Sequence, residues 1–399
     1  MTEIKNIQPQ GNCSQFMRDA AQRTATPFYF YDIDLLHLTI EEIKKQTAGM
    51  NCIVHYALKA NSNKRIINEI AADGLGADLV SGGEIRAAMD AGFHPQKMTF
   101  SGVGKTDWEI RLGLECGIGN FNVESVQELE VIDAIAGEMG KTAHITIRVN
   151  PDIDAHTHRY ITTATADDKF GINIDELHDV VNLAMTLQNV RLMGLHFHIG
   201  SQITDMSPYI RLCECVNTLQ DEFEREGISF EIINMGGGLG IDYMHPDECP
   251  IPDFKTFFDT FKQHFITRPN QSLHFELGRS IVAGCGTLVS RVTFIKQNRN
   301  KRFAILDAGM TDLIRPALYG AHHEIQNLNS STDDTADMRP YDVVGPVCES
   351  SDVFSRDCML PETRRGNLIA IRSVGAYGES MASHYNMREL PKSVFFSRR

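Results

Sequence analysis

Between residues 52 and 276, eight short apolar runs alternate with longer segments of helical period, and this alternation restricts the fold more than any other feature of the chain. The runs cover 52–58, 76–80, 98–101, 121–123, 144–149, 192–199, 231–235 and 272–276. Helical segments lie at 64–72, 84–91, 107–115, 125–136, 175–187, 207–226 and 253–265. A sandwich does not interrupt its strands with helices this regularly, whereas eight strands separated by helices is the count of a (β/α)8 TIM barrel. Strand counting cannot close a sheet, so a doubly wound open sheet remains the competitor.

After about residue 283 the texture changes. Runs at 287–295, 302–306, 341–347 and 368–372 have little helical periodicity between them, which predicts a mostly β C-terminal domain in an α/β chain. The polar, turn-rich stretch 327–340 reads as a surface loop. The run Phe28–Asp32 (FYFYD) is a strand left over before the eight and is free to join the C-terminal sheet. The division expected is a barrel over 27–282 and a β-rich domain over 283–399, with roughly 1–26 and the leftover strand. A length of 399 residues agrees with two or three domains of about 150 residues.

Composition excludes several classes. Lys and Arg number 38 against 52 Asp and Glu, a net charge of −14, which argues against a nucleic-acid or anionic-membrane surface. No run of about eighteen apolar residues suggests a transmembrane helix, and the first residues do not read as a secretory signal. The nine cysteines are scattered without a CxxC pair, so a cytoplasmic setting is expected rather than a disulfide framework.

In (β/α)8 enzymes chemistry gathers at the carboxyl ends of the strands. Here the unusual residues fall at those ends. Lys59 follows the first run, Asp78 lies in the second, and His196, His198 and Ser201 mark the sixth. Gly236, Gly237 and Gly238 follow the seventh, and Glu276, Leu277, Gly278 and Arg279 close the eighth. Successive glycines can offer backbone N–H groups to an anion, although a plain turn reads the same way. Two nucleotide motifs fail: a P-loop ending in Gly104-Lys105-Thr106 needs glycine where Thr99 stands, and a dinucleotide fingerprint from Gly236 needs one at Ile241.

His196 and His198, two apart on one strand, could share a face and hold a metal, which keeps a barrel metallohydrolase as a rival. No aspartate ends the eighth run and no further histidine sits at another strand end to complete such a site, so no metal is assigned. A lysine desolvated at a barrel mouth is suited to Schiff-base chemistry. Lys59, a glycine nest and a flat histidine face together point to pyridoxal 5'-phosphate. Glu276 can then supply the negative charge that keeps the pyridine nitrogen protonated and the ring an electron sink.

The strings HYALKAN (55–61), GADLVSGGE (76–84), RVNPDIDAHTH (148–158), KFGI (169–172), HFHIGSQITD (196–205), NMGGGLGIDY (234–243), ELGRSIVA (276–283), GPVCESSD (345–352) and GAYGESMASHYNMR (375–388) occur in this order. Together they resemble the alanine-racemase-like barrel decarboxylases that use pyridoxal phosphate, and within them the branch that converts meso-2,6-diaminopimelate to L-lysine and CO2. The resemblance runs from about residue 27 to 396.

It implies the following roles. Lys59 resembles the Schiff-base lysine, His198 the histidine stacked on the ring, and Asp78 an acid on the lysine side of the ring. Ser201, Gly238 and the 276–279 segment match cofactor-holding positions, with Glu276 at the pyridine nitrogen. Tyr377 resembles a tyrosine touching cofactor and substrate. For the distal head of the substrate, Arg279, Arg315 and Tyr319 can meet the carboxylate and Glu349 the ammonium. Arg315 separates this reading from an ornithine or arginine decarboxylase, unless it is a surface residue in an ion pair. Cys348 resembles the residue that returns a proton to Cα. In the family Cys348 and Glu349 come from the partner subunit, which implies a homodimer with shared sites. A catalytically inactive regulatory relative would be expected to lack Lys59, Glu276 or Cys348, and all three are present.

Overall fold

The computed structural model describes residues 13–153, 169–330 and 338–398. They form two compact units, one of Ile40–Gly240 and Asp253–Gly278, the other of the residues up to Thr39, Ile241–Pro252 and Arg279–Arg399. The expected division differs in three places: residues 33–39, the 241–252 loop and the short helix Arg279–Val282 all go with the second unit. Element order assigns a loop to the strand before it, whereas packing decides which core it covers. Residues 154–158 of the string 148–158, and 331–337 of the stretch 327–340, lie outside the described residues.

The first unit is a closed parallel barrel of eight strands: β1 Cys52–Ala57, β2 Gly76–Leu79, β3 Met98–Phe100, β4 Asn120–Val123, β5 Ala143–Asn150, β6 Val190–Phe197, β7 Ile232–Gly237 and β8 Ser272–Leu277. Each pairs with the next, and β8 returns to β1 with Leu273 beside Cys52 and Leu277 beside Tyr56, which excludes the open sheet. A two-residue strand, Ile172–Asn173, adds to the end of β5.

Local chemistry explains where the helices start. Asn63, Ser81, Ser125 and Asp253 each accept a hydrogen bond from a backbone N–H in the first turn of the helix that follows, satisfying groups a helix leaves open. The helix expected from residue 84 begins at Gly82. A Cβ there would come within 2.2 Å of the Trp108 ring, so glycine permits the close approach.

The second unit is built on an eight-stranded sheet. Gly286–Gln297 is its long central strand, flanked by Leu368–Ile371 and Arg302–Leu306. Phe28–Asp32 pairs antiparallel with Gly286–Gln297 and parallel with Lys392–Phe396, as its apolar pattern allowed. Helix Cys13–Ala20 places Met17 in a cluster with Phe28, Phe30, Val289, Leu328 and Leu368. Three strands, Ile325–Asn327, Val353–Pro361 and Lys392–Phe396, were not apparent as apolar runs. Val353–Pro361 carries Ser355, Arg356 and Asp357, which interrupt its pattern. No helix among the described residues is long and apolar enough to cross a membrane.

Candidate active site

The carboxyl ends of the barrel strands hold a continuous polar network. Lys59 sits in the 3-10 turn Leu58–Ala60 directly after β1, and its Nζ lies 3.5 Å from Oδ2 of the fully buried Asp78 on β2. Ser101, one residue past β3, donates to Asp78 Oδ1 at 2.7 Å. Asn122 on β4 donates to Ser101 Oγ (2.9 Å) and to Glu276 Oε1 (3.0 Å). Asn234 on β7 donates to the same Glu276 oxygen at 2.7 Å, and His196 Nε2 on β6 lies 3.1 Å from Oε2. Hydrogen-bonded or ionic contacts therefore run from Lys59 to Glu276 through side chains contributed by separate strands.

The two buried carboxyls are driven apart. Burial would raise Glu276, but His196 beside it, together with Lys59, holds it well below the usual carboxylate range. Asp78 is pushed up to about 6 by burial and by the Glu276 charge, against the opposing pull of Lys59 and the Ser101 hydroxyl. Glu276 is thus the permanent anion of the pair. Its Oε1 accepts two amide donors and its Oε2 meets one imidazole nitrogen, which leaves Oε2 capacity for a further donor. An ionised acid with that vacancy fits a protonated pyridine N–H, and Lys59 fits the aldehyde end of pyridoxal phosphate.

The structure corrects two details at the strand ends. β6 ends at Phe197, so His196 lies in the strand and turns to Glu276 while His198 lies past it, its Nδ1 accepting from Gly237 N–H at 3.4 Å. His196 is thus engaged by a carboxylate and His198 by a backbone N–H. Among the described residues no group of three His, Cys, Asp or Glu is placed to hold a metal ion. Burial, with Lys59 and Arg148 nearby, pushes His198 well below its ordinary value and keeps it neutral.

Gly236 and Gly237 are the last residues of β7, not a loop. Gly236 N–H is used by Asn234 Oδ1 at 2.9 Å, so with Gly237 bound to His198 the triplet is not a nest of three open donors. Its value is steric: a Cβ on Gly237 would lie 1.7 Å from the Glu276 carbonyl, and one on Gly236 2.2 Å from that of Phe197. Gly238, at φ +97°, begins the loop, and its carbonyl accepts from Ile203 N–H. Ser201 is half-buried, Leu277 is buried at the end of β8, and a Cβ on Gly278 would press on Ala60 and Ala57 at 3.0 and 3.2 Å. Lys105, left over from the failed P-loop, is a buried clamp that donates to the carbonyls of Gly102 and Asn122 and pairs with Glu128.

In the second unit Arg279 and Arg315 are both buried. Arg279 Nη1 donates to Tyr243 Oη at 2.7 Å, and its guanidinium lies 5.0 Å from the Tyr377 ring centre. Arg315 lies 4.7 Å from the Tyr243 ring centre and makes no ion pair with a carboxylate among the described residues. The alternative of a surface arginine in an ion pair is therefore wrong for Arg315. Tyr377 is held at φ +58°, a conformation uncommon for a side chain of its size. Tyr319 is half-buried at the end of the helix Arg315–Tyr319.

Cys348 and Glu349 are exposed on a loop clamped at its base by Asp352, whose carboxylate accepts from Met310 N–H (2.6 Å) and Val347 N–H (2.7 Å). Tyr385 donates to Glu349 Oε1 at 2.7 Å. Residues 101, 122, 234, 243, 323 and 385 are additions that sequence reasoning missed. Asn122 and Asn234 had a signal, since a polar residue in a strand buried on both faces must find partners in the barrel. Tyr243 and His323 had none outside their tertiary contacts.

The comparisons agree with this chemistry. Residues 36–283 match the family described as "Pyridoxal-dependent decarboxylase, pyridoxal binding domain". Diaminopimelate decarboxylase of Bacteroides thetaiotaomicron is 54% identical over 378 residues, covering 94% of this chain and 97% of that one. The enzyme of the same name from Vibrio cholerae is 42% identical over 374 residues, 93% of this chain and 88% of the other. The crystal structure of Helicobacter pylori diaminopimelate decarboxylase complexed with L-lysine superposes with a TM-score of 0.89 at 39% identity, covering 96% and 94% of the two chains. The chain belongs to the pyridoxal-dependent decarboxylases and, within them, to the diaminopimelate decarboxylase family.

Proposed function

We propose that this chain converts meso-2,6-diaminopimelate to L-lysine and CO2 with pyridoxal 5'-phosphate as cofactor, the last step of lysine biosynthesis. The observation that carries the substrate reading is Arg315, a buried cation with no carboxylate partner among the described residues, as binding of a distal carboxylate requires. When bound, the cofactor supplies an electron sink for the pair released as CO2 leaves.

The chain's own residues do the rest. Lys59 supplies the amine that holds the cofactor, and Asp78 keeps that amine oriented. Glu276 presents a fixed negative charge, and neutral His198 offers a flat face. Ser201, the 236–238 glycines and the 277–279 segment serve as cofactor-holding positions. Arg279, Arg315 and Tyr319 receive the distal carboxylate, Glu349 the distal ammonium, and Tyr377 contacts both ligands. Cys348 delivers the proton to Cα.

Cys348 and Glu349 act in the site of a second copy of the chain, which makes the enzyme a homodimer. Their exposure and the Tyr385 anchor on Glu349 support this reading. A cytoplasmic location is supported by nine cysteines that are all free thiols.

The test supplies purified protein and pyridoxal phosphate with meso-diaminopimelate, L-ornithine or L-arginine and measures CO2 and the amine product. Turnover of meso-diaminopimelate alone is expected. Turnover of ornithine or arginine in its place overturns the role of Arg315, and full specific activity from a monomeric peak in light scattering overturns the shared site.

A further inference from the structure

Arg315 Nη1 lies 2.7 Å from His323 Nε2. A guanidinium can only donate, so Nε2 must present its lone pair and the ring proton must sit on Nδ1. The second contact agrees: Nδ1 lies 2.8 Å from the carbonyl oxygen of Arg372, which can only accept. His323 is therefore a neutral imidazole in one tautomer, wedged between a backbone acceptor and a cation. Burial and the Arg315 charge push it down to about 3, so it stays neutral at any working pH.

Arg315 is otherwise bounded by the Tyr243 ring at 4.7 Å, and its Nε has no hydrogen-bond partner among the described residues. Tyr243 also receives a bond from Arg279 at 2.7 Å. A protein that needed Arg315 only for stability would place a carboxylate beside it, because a buried unpaired cation is costly. Here the neighbours orient the guanidinium and leave its charge uncancelled.

We propose that His323 is a positioning residue that sets substrate preference, aiming Arg315 through an uncharged acceptor so that its charge is kept for the carboxylate of an amino-acid head. This rests on the functional reading above and adds to it the reason for histidine at 323. A carboxylate at that position would occupy Arg315 as an ion pair and compete with the ligand.

Three variants test it: His323→Gln, which can still offer an acceptor, His323→Met, which cannot, and His323→Glu, which adds the competing charge. Each is characterised by kcat and KM for meso-diaminopimelate. Each is also tested for competitive inhibition by L-lysine, which carries an amino-acid carboxylate, and by 1,5-diaminopentane, which has none. His323→Gln is expected to stay within about threefold of the parent in KM. His323→Met is expected to raise KM about tenfold, and His323→Glu about hundredfold, the range spanned by hydrogen bonds to charged groups, with kcat moving less. L-lysine inhibition should weaken in the same order while diaminopentane inhibition does not, a split that a general loss of structure would not produce. If the Glu variant does not fold, the Gln and Met pair decides. Absence of diaminopimelate turnover in the unaltered enzyme would bring down the functional reading itself. Normal turnover there, with unchanged KM and lysine inhibition in the Met and Glu variants, would overturn the role of His323 alone.

Discussion

At the strand ends of the barrel, two buried carboxyls are matched to partners: Asp78 faces Lys59 and Ser101, and Glu276 takes donors from Asn122, Asn234 and His196. In the second unit the buried guanidinium of Arg315 meets an imidazole, a tyrosine face and no carboxylate among the described residues. One region is charge-compensated inside the protein, and the other leaves a cation that, in the function proposed above, a ligand completes. Burial alone does not distinguish them, since Asp78, Glu276 and Arg315 are all buried. The identity of the neighbours does. A matched network holds a charge where chemistry needs it, while an unmatched charge selects what binds.

The largest effect is expected where the barrel network meets the cofactor. Lys59→Ala should lower lysine formation by about 10^4-fold or more, with the far-UV circular dichroism spectrum unchanged. Appreciable turnover by that variant would break the assignment of the network's end. Next is Cys348→Ala, on the exposed loop of the second unit. It should lower kcat by about 10^3-fold with KM within a few-fold, because a proton donor acts after binding. An unchanged kcat in steady-state assays removes it from the mechanism.

A third effect concerns another buried polar pair of the barrel. His55 Nε2 lies 3.0 Å from His274 Nδ1, and His55 Nδ1 3.0 Å from the Lys97 carbonyl oxygen. Burial lowers His55 to about 4, so the folded chain refuses a proton that the unfolded chain accepts near its ordinary value of 6.5. Between those values the unfolded state binds more protons, so stability falls as pH falls. This one group costs about 3 kcal/mol by pH 4 and nothing above about pH 7. Calorimetric melting temperatures between pH 7.5 and 4.5 should decline in the parent and decline less in His55→Asn. Equal slopes would refute it.

Two smaller effects sharpen the contrast directly. Arg315→Met should raise KM for diaminopimelate about hundredfold with a smaller change in kcat, and it should not destabilise the fold as the loss of a matched buried charge would. Asn122→Leu should instead cost stability, about 2 kcal/mol in urea denaturation, because the Ser101 and Glu276 oxygens each lose a buried donor. If Arg315→Met were the more destabilising of the two, the comparison would be reversed.

Much of this was legible in the chain. Alternating apolar and helical segments at 52–276 predict the barrel, because a parallel strand buried on both faces must be apolar and must be joined to the next by a crossover. Lys59, Asp78 and Glu276 stood out as charged residues at strand ends, and the structure brings them into one network. Where reading failed, local pattern was ambiguous. Gly236 and Gly237 look like a turn because glycine is the usual turn residue, yet they end a strand whose neighbour leaves no room for a Cβ. The run holding His196 and His198 reads as a strand to residue 199 because its apolar pattern continues, yet β6 stops at Phe197.

The sequence by itself determined the class of fold, the placing of Lys59 and Glu276 at the ends of barrel strands, and a family signature spread over both units. Closure of the sheet was decided only in three dimensions, by the pairing of β8 with β1 across more than two hundred residues of chain. The same holds for the donors that converge on Glu276 and for the single tautomer of His323. Periodicity and motifs record what each residue does with its neighbours in the chain. The protonation and orientation of a buried group depend on partners distant in sequence, which only the folded chain brings within hydrogen-bonding distance.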